Sequence, residues 1–301
     1  MSETLRLDGR VIELSHQDKT YFPQAGFSKG DLIAYYRRMA PIMLPHMRQR
    51  PLSLQRFPDG IQADGFYQKE APDTFPDWIE RVMIPVEAEG EKQPQVMGND
   101  AASLIYLVNL GCITPHAWLS RSRNVRQPDR LIFDLDPPSA DDFDSVRAAA
   151  RALRAVLEEA GLVPFVMTTG SRGLHVRAPL DGRTDFDTVR AFARQAAEGV
   201  AQQEPDRFTT ETRKAQRNGR LFLDYLRNAY AQTAVVPYAV RPLPGAPVAA
   251  PLDWRELDRA DLQAQRYTVR NIFRRLGQKA DPWRDMDQYG RPLPARQALK
   301  F

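Results

Sequence analysis

The stretch RLIFDLDPPS, residues 130–139, reads as a buried strand that carries two carboxylates. Side chains alternate across a strand, so Asp134 and Asp136 share one face while Phe133 and Leu135 share the other. Two anions about 7 Å apart along a strand repel each other and resist desolvation unless something compensates them. A divalent cation held by oxygen ligands does this for both at once. The plain alternative is an acidic strand end, with Asp136 turning into Pro137 and capping the helix that follows.

A second acid strand bears on the choice. Asp224 lies inside LFLDYL, flanked by Leu223 and Tyr225, where an acid is rarely buried without a compensating charge or metal. Three carboxylates on neighbouring strands suit two metal ions about 4 Å apart, the arrangement used in phosphoryl transfer. Between the acid strands lies TTGSRGLH, residues 168–175. Its glycines let backbone N–H groups turn toward an anion, Thr169 and Ser171 add hydroxyls, Arg172 adds charge, and His175 can donate to a phosphate oxygen. A tight hairpin with a core histidine is the bland reading of the same residues. Arg213, Lys214, Arg217 and Arg220 lead into the Asp224 strand. Such a run is ordinarily a solvated face, and here it also offers phosphate or primer contacts.

Outward from this core, the pattern after residue 138 predicts a helix with Phe143, Val146, Ala150, Leu153, Leu157 and Ala160 on one face and Gly161 at its stop. A strand, the loop, a second strand, another helix near 186–203 and the Asp224 strand follow. Strand, helix, strand, strand, helix, strand is the order of a split βαβ core, with the helices on one side of a mixed sheet and the other face left for chemistry. Nearer the start, Ser28 and Asp31 form a capping box for a helix that Pro41 ends or kinks. Lys29 sits in the first turn of that helix, where free N–H groups welcome phosphate.

The 301 residues are 43% hydrophobic, enough for a real core, so disorder is excluded. Lys plus Arg number 42 against 38 acids, a balance of +4 that permits a polyanionic partner. Cys112 is the single cysteine, so no disulfide framework exists within the chain, and it is expected as buried filler. No apolar run approaches the roughly 18 residues of a membrane span and the start lacks a signal-peptide core. The expected setting is the cytoplasm, away from membranes. Neither a repeat nor a low-complexity linker is visible, which favours one compact unit.

Taken in order, KTYFPQAGFSKGDLIAYY, FDLDP, TTGSRGLHV, RLFLDYLRN and YAVRPLPGAPVAAPLDW resemble the polymerase module of bacterial DNA ligase D, in the archaeo-eukaryotic primase superfamily. The resemblance covers nearly the whole chain. It implies an α+β primase-polymerase fold with an RRM- or ferredoxin-like core and flanking helices. The expected layout is a single domain over 1–301, with DNA-end contacts in 1–110, the catalytic core in 111–245 and a C-terminal wrap or linker in 246–301. It also implies templated nucleotide addition at DNA ends and gaps during non-homologous end joining, with a preference for ribonucleotides and two Mn2+ or Mg2+ ions.

Carried onto this sequence, the family's metal ligands and catalytic residues fall on Asp134, Asp136 and Asp224. Its nucleotide contacts fall on His116, Thr169, Ser171, Arg172, His175 and Arg241, and its DNA contacts on Lys19, Lys29, Phe66, Tyr67 and Arg217. Implied partners are DNA with a 5′-phosphorylated gap or end, NTPs or dNTPs, ligase and nuclease modules of the same polypeptide, and a Ku-type end-binding protein at the nucleoid. Some relatives carry Ser and Lys where Thr169 and Arg172 stand, and a basic residue where Gln55 stands. Two rivals remain. One is a non-catalytic DNA-end bridge; the other is an aspartate-nucleophile phosphatase, which wants Thr or Val where Pro138 stands.

Overall fold

Leu131, Phe133 and Leu135 are fully buried on one face of their strand, and Asp134 lies on the other. This alternation organises the whole of one unit of the protein. The computed structural model describes residues 3–85, 92–139, 142–294 and 299. Contacts gather in two units, each assembled from separate stretches of chain. The first comprises Met1–Trp118, Thr233–Ala249 and Thr268–Gly277; the second comprises Leu119–Gln232, Ala250–Tyr267 and Gln278–Phe301.

In the first unit β1 (Glu3–Leu7) and β2 (Arg10–Leu14) form a hairpin, and β3 (Thr20–Phe22) pairs with β4 (Phe27–Ser28). Helix α1 (Lys29–Met47) starts at the capping box: the Ser28 hydroxyl accepts from Asp31 N–H, and the Asp31 carboxylate accepts from Ser28 N–H. Pro41 does not end this helix, which runs through Pro41 and Pro45 to Met47. Leu32, Tyr36, Met39 and Met43 on its inner face are wholly buried, and that packing outweighs the hydrogen bonds the prolines remove. There follow β5 (Leu52–Arg56), β6 (Phe66–Gln68), the hairpin of β7 (Arg81–Pro85) with β8 (Lys92–Val96), α2 (Ala101–Asn109) and β9 (Cys112–Trp118). Cys112 is buried in β9, and burial pushes its thiol up to about 12.

The second unit holds β10 (Arg130–Leu135), α3 (Phe143–Glu159), β11 (Phe165–Thr168), β12 (Leu174–Pro179), α4 (Phe186–Gln203), β13 (Phe208–Thr209) and β14 (Leu221–Asp224). Later, β15 (Thr233–Val235) joins the four-stranded sheet of the first unit in the order β15-β9-β5-β6, and β16 (Pro251–Leu252) joins the second. The second unit's sheet has the order β13-β14-β10-β12-β11-β16. Its central four strands, β14-β10-β12-β11, are all antiparallel and follow the split βαβ order expected from the sequence. Short strands add the edges, with β13 parallel to β14 and β16 antiparallel to β11.

Helices α3 and α4 pack on this sheet through Phe143, Val146, Leu153 and Leu157 and through Val189, Phe192 and Ala196. Each large apolar side chain so covered contributes about 1.5–3 kcal/mol. The cap of α3 is Asp142, whose carboxylate accepts from Ser145 N–H, so Asp136 is not the capping residue. Gly161, at φ +83°, closes the helix as expected. Part of the sheet's other face is covered by the chain's later residues. Trp283 is fully buried, Trp283 and Tyr289 pack edge-on or tilted against Phe165, and Arg130 binds Asp287, so residues after 280 wrap part of that face.

One buried side chain ties β14 to β10. Asn228 is fully buried; its Oδ1 accepts from Ile132 N–H at 2.9 Å, and its Nδ2 donates to Ile132 and Tyr225 carbonyls at 2.7 and 2.8 Å. Asn228→Ala orphans three buried backbone groups. Urea unfolding should show a loss of about 2–4 kcal/mol, and a loss below about 0.5 kcal/mol would place the clamp elsewhere.

Candidate active site: three carboxylates at the open end of the sheet

The antiparallel register sets Asp134 of β10 directly opposite Asp224 of β14 on one side and opposite His175 of β12 on the other. Cross-strand partners stand about 4.5–5.5 Å apart at Cα, so the sheet itself forces two carboxylates together. Asp136 follows just past the end of β10. All three acids line one cavity of about 310 Å³ with Arg172, Lys214, Arg217, Arg220 and Arg227. Five cationic side chains against three acids make its walls receptive to a polyanion.

Burial pushes the Asp224 carboxyl up, and the facing Asp134 adds to the rise. The N–H of Leu226, donating to Asp224 Oδ1 at 2.7 Å, and the cations Arg227 and Arg217 oppose it. Asp134 has His175 Nε2 3.4 Å from Oδ1 and Arg227 Nε 3.5 Å from Oδ2. Asp136 Oδ2 accepts from Arg172 at 2.6 Å. His175 is held below the ordinary imidazole range by burial, against the pull of Asp134, and Arg177 and Arg227 press it further down.

The donor set is hard oxygen, which suits Mg2+ or Mn2+. Among the described residues no three His, Cys, Asp or Glu side chains already converge as a metal cluster. Asp136 faces Arg172 instead. The fit therefore rests on the opposed pair Asp134 and Asp224, whose mutual repulsion a cation relieves, with Asp136 at the rim.

The loop between β11 and β12 is organised by Thr169. Its Oγ1 accepts from Ser171 and Gly173 N–H groups and donates to the Gly173 carbonyl, all at 3.2 Å. That hydroxyl and two N–H groups expected to face an anion thus serve the loop's own fold. Ser171 is further fixed by Gln265, whose amide donates to its carbonyl at 2.9 Å. Arg172 remains 65% exposed at the cavity rim. Arg217 is set by donation to the Glu211 and Thr212 carbonyls and lies 4.1 Å over Phe222.

The remaining candidates belong to the first unit. Lys29 is buried rather than solvated: its ammonium donates to the Ser15 carbonyl at 2.6 Å and the Ser15 hydroxyl at 3.2 Å. Lys29 N–H donates to the Lys19 carbonyl at 2.8 Å, so the two lysines are neighbours. Burial first, and Lys19 second, lower Lys29 to about 8. Lys19 itself donates to the Pro58 carbonyl and to Asp59. Phe66 and Tyr67 on β6 are about half exposed, and Tyr67 meets His116 edge-on with centroids 5.5 Å apart. Gln55 stands opposite Tyr67 and Thr114 in the same sheet, and Arg241 N–H donates to the Pro247 carbonyl.

With this geometry in hand, the sequence pattern of the LigD primase-polymerase domain matches residues 28–283. The chain belongs to this family. Domains of the LigD primase-polymerase family are nucleotidyltransferase-type polymerases. The Multifunctional non-homologous end joining protein LigD of Pseudomonas aeruginosa is 34% identical over 277 residues, covering 91% of this chain and 32% of that protein. The corresponding protein of Mycobacterium bovis is 30% identical, covering 90% and 36%. The chain thus spans about a third of the length of these relatives. The solved polymerase domain from Mycobacterium tuberculosis Ligase D, in complex with DNA, superposes with a TM-score of 0.86 at 27% identity, covering 93% of this chain and 99% of that one.

Arg227 and Arg177 escaped the sequence reading, although each stands at a legible offset. Arg227 follows Asp224 by three residues, and Arg177 follows His175 by two, hence on the same strand face. Gly173 matters to this polymerase domain for a different reason from turn geometry. A Cβ there would lie 1.7 Å from the Leu135 carbonyl oxygen and 3.1 Å from Asp136 Cα. Gly173→Ala should displace the strand end that carries Asp136, cutting nucleotide incorporation about 100-fold while the circular dichroism stays folded. Undiminished incorporation would show that the close approach is dispensable.

Proposed function

We propose that the chain is a template-directed polymerase that adds nucleotides, ribonucleotides by preference, at DNA ends and gaps during non-homologous end joining. The observation that carries this reading is the placement of Asp134 opposite Asp224 at the mouth of a cation-walled cavity. Asp134, Asp136 and Asp224 would hold two divalent ions, Mn2+ or Mg2+, which when bound lower the pKa of a primer 3′-hydroxyl and neutralise the triphosphate. Arg172, Arg227 and Arg217 present donors to phosphate oxygens, and the paired lysines Lys19 and Lys29 receive a 5′-phosphate. Phe66 and Tyr67 offer faces on which template bases stack, at about 1–3 kcal/mol per base. Thr169, Ser171, His175, His116 and Arg241 complete the proposed nucleotide contacts. Ligase and nuclease modules of a longer polypeptide, with a Ku-type protein, are the partners this role calls for, and it places the chain at the nucleoid. No helix among the described residues is long and apolar enough to cross a membrane.

Primer extension on a gapped, 5′-phosphorylated duplex with Mn2+ tests the reading. Templated addition should be abolished in Asp134→Ala with Asp136→Ala while DNA binding and folding persist. Tight end binding by a wild type that incorporates nothing would favour the bridging role instead.

The lysine pair gives a pH signature. A lysine at about 8 loses its charge as pH rises through that value, whereas a terminal phosphate with a second pKa of about 6 stays dianionic. Fluorescence anisotropy should show the preference for phosphorylated over hydroxyl ends falling as pH rises through about 8, and Lys29→Ala should remove that step. A preference flat through this range would contradict the assignment.

A further inference from the structure

A second cavity, of about 560 Å³, lies at the β16 edge of the second unit's sheet and shares no lining residue with the cavity of the three carboxylates. Its apolar surfaces come from Phe165 at the start of β11, Leu252 of β16, Trp254 shortly after it, and Tyr289. The rings are fixed by their own contacts. Trp254 Nε1 donates to the Pro164 carbonyl at 2.9 Å. Tyr289 packs tilted against Phe165, with centroids 5.8 Å apart, and is still 43% exposed. The volume falls in the range of roughly 300–1,000 Å³ found for ligand pockets, and rings already held in place lose little freedom when a guest settles on them.

The charge of these walls is opposite to that of the active-site cavity. Glu158, Asp253, Asp281 and Asp285 line it against two arginines, Arg154 and Arg284, in a chain whose overall balance is +4. Lys279, which is not part of the lining, pairs with Asp253, and Asp281 accepts from Trp283 N–H at 3.0 Å. Glu158 and Asp285 are about half exposed. Such walls repel phosphate and attract cations. The chain itself displays the contact on offer: Arg154 lies 4.9 Å over the Trp254 ring and donates to Glu158 at 2.8 Å, a guanidinium held by an aromatic face and a carboxylate together. A bare small cation gains little beside half-exposed carboxylates, where water screens the pairing. An arginine within a peptide gains more. Its stem covers apolar surface, its planar head stacks on rings and meets acids, and apolar neighbours in the same peptide cover Leu252 and Phe165.

We propose that this cavity is a docking site for an arginine-bearing, otherwise apolar peptide segment of a partner protein. It uses none of the acids proposed to hold metal, and it stands independently of the polymerase reading. The fixed aromatic rings supply the anchor, and the acids select cationic over anionic segments. Arg284, largely exposed on the same wall, opposes the guest's charge.

Fluorescence anisotropy of labelled peptides with the whole chain, in buffer free of nucleic acid, tests this. The probes are a peptide of alternating proline and arginine and its counterpart of alternating proline and glutamate, with N-acetyl-arginine amide as a competitor. The arginine peptide should bind saturably and the glutamate peptide should not. Tyr289→Ala should weaken binding about tenfold, and so should Glu158→Gln combined with Asp285→Asn. Arg284→Glu, which turns an opposing charge into an attracting one, should tighten it, a gain that misfolding does not produce. Asp134→Ala with Asp136→Ala should leave the affinity unchanged. Failure of the arginine peptide to bind, equal binding of the glutamate peptide, or no tightening in Arg284→Glu overturns the proposal. Loss of binding in the Asp134 and Asp136 variant overturns it too, by moving the guest to the other cavity. Competition by N-acetyl-arginine amide as strong as that by the peptide would leave a small-cation site in place of a docking site.

Discussion

Two carboxylates stand directly opposite each other on adjacent strands, and the second unit is built around that unfavourable pair. Like charges at a cross-strand position destabilise a sheet, and half-burial sharpens the conflict. Asp224 shows it in a carboxyl raised by burial and by its neighbour. A protein that needed only a stable sheet would place apolar residues here, as it does one step along, where Leu135 faces Leu223. The surroundings form a frame that holds a repulsive pair in position.

The frame consists of specific contacts. Asn228 locks the turn after β14 to the backbone of β10 at Ile132, two residues before Asp134. Gly173 lets the loop before β12 close on Leu135 and Asp136, where any side chain would collide. Arg227 and Arg172 lend partial neutralisation to Asp134 and Asp136. Both arginines are substantially exposed, at 44% and 65%, so their pairing is weak enough to yield to a metal or a phosphate.

Much of this was legible in the sequence because the periods are strong. The alternation in residues 130–135, the amphipathic stripe of 143–160 and the caps at Ser28 and Gly161 each express a local rule, and the split βαβ order follows from their succession. Elements set by distant partners were not legible. The strands at 208–209 and 251–252 are two residues long and exist through their pairing. Pro41 signals a break locally, yet the buried face of α1 carries the helix past it. Asp136 carries a local cap signal, yet Asp142 takes that role. That Ser15 covers the Lys29 ammonium is not legible locally, because the two residues meet only through the fold. The carboxylates and the basic run before Asp224 were visible as residue types. Their mutual placement, and the service of Thr169 to its own loop, depend on register and could be read only from the fold.

The central claim is that the opposed acids form a metal site rather than a strained sheet end. Anomalous diffraction from crystals grown with Mn2+ measures this most directly. The account predicts a manganese peak at the Asp134 and Asp224 carboxylates, with Asp136 drawn away from Arg172. Manganese bound elsewhere, or absent while the acids keep only their arginine partners, would contradict it.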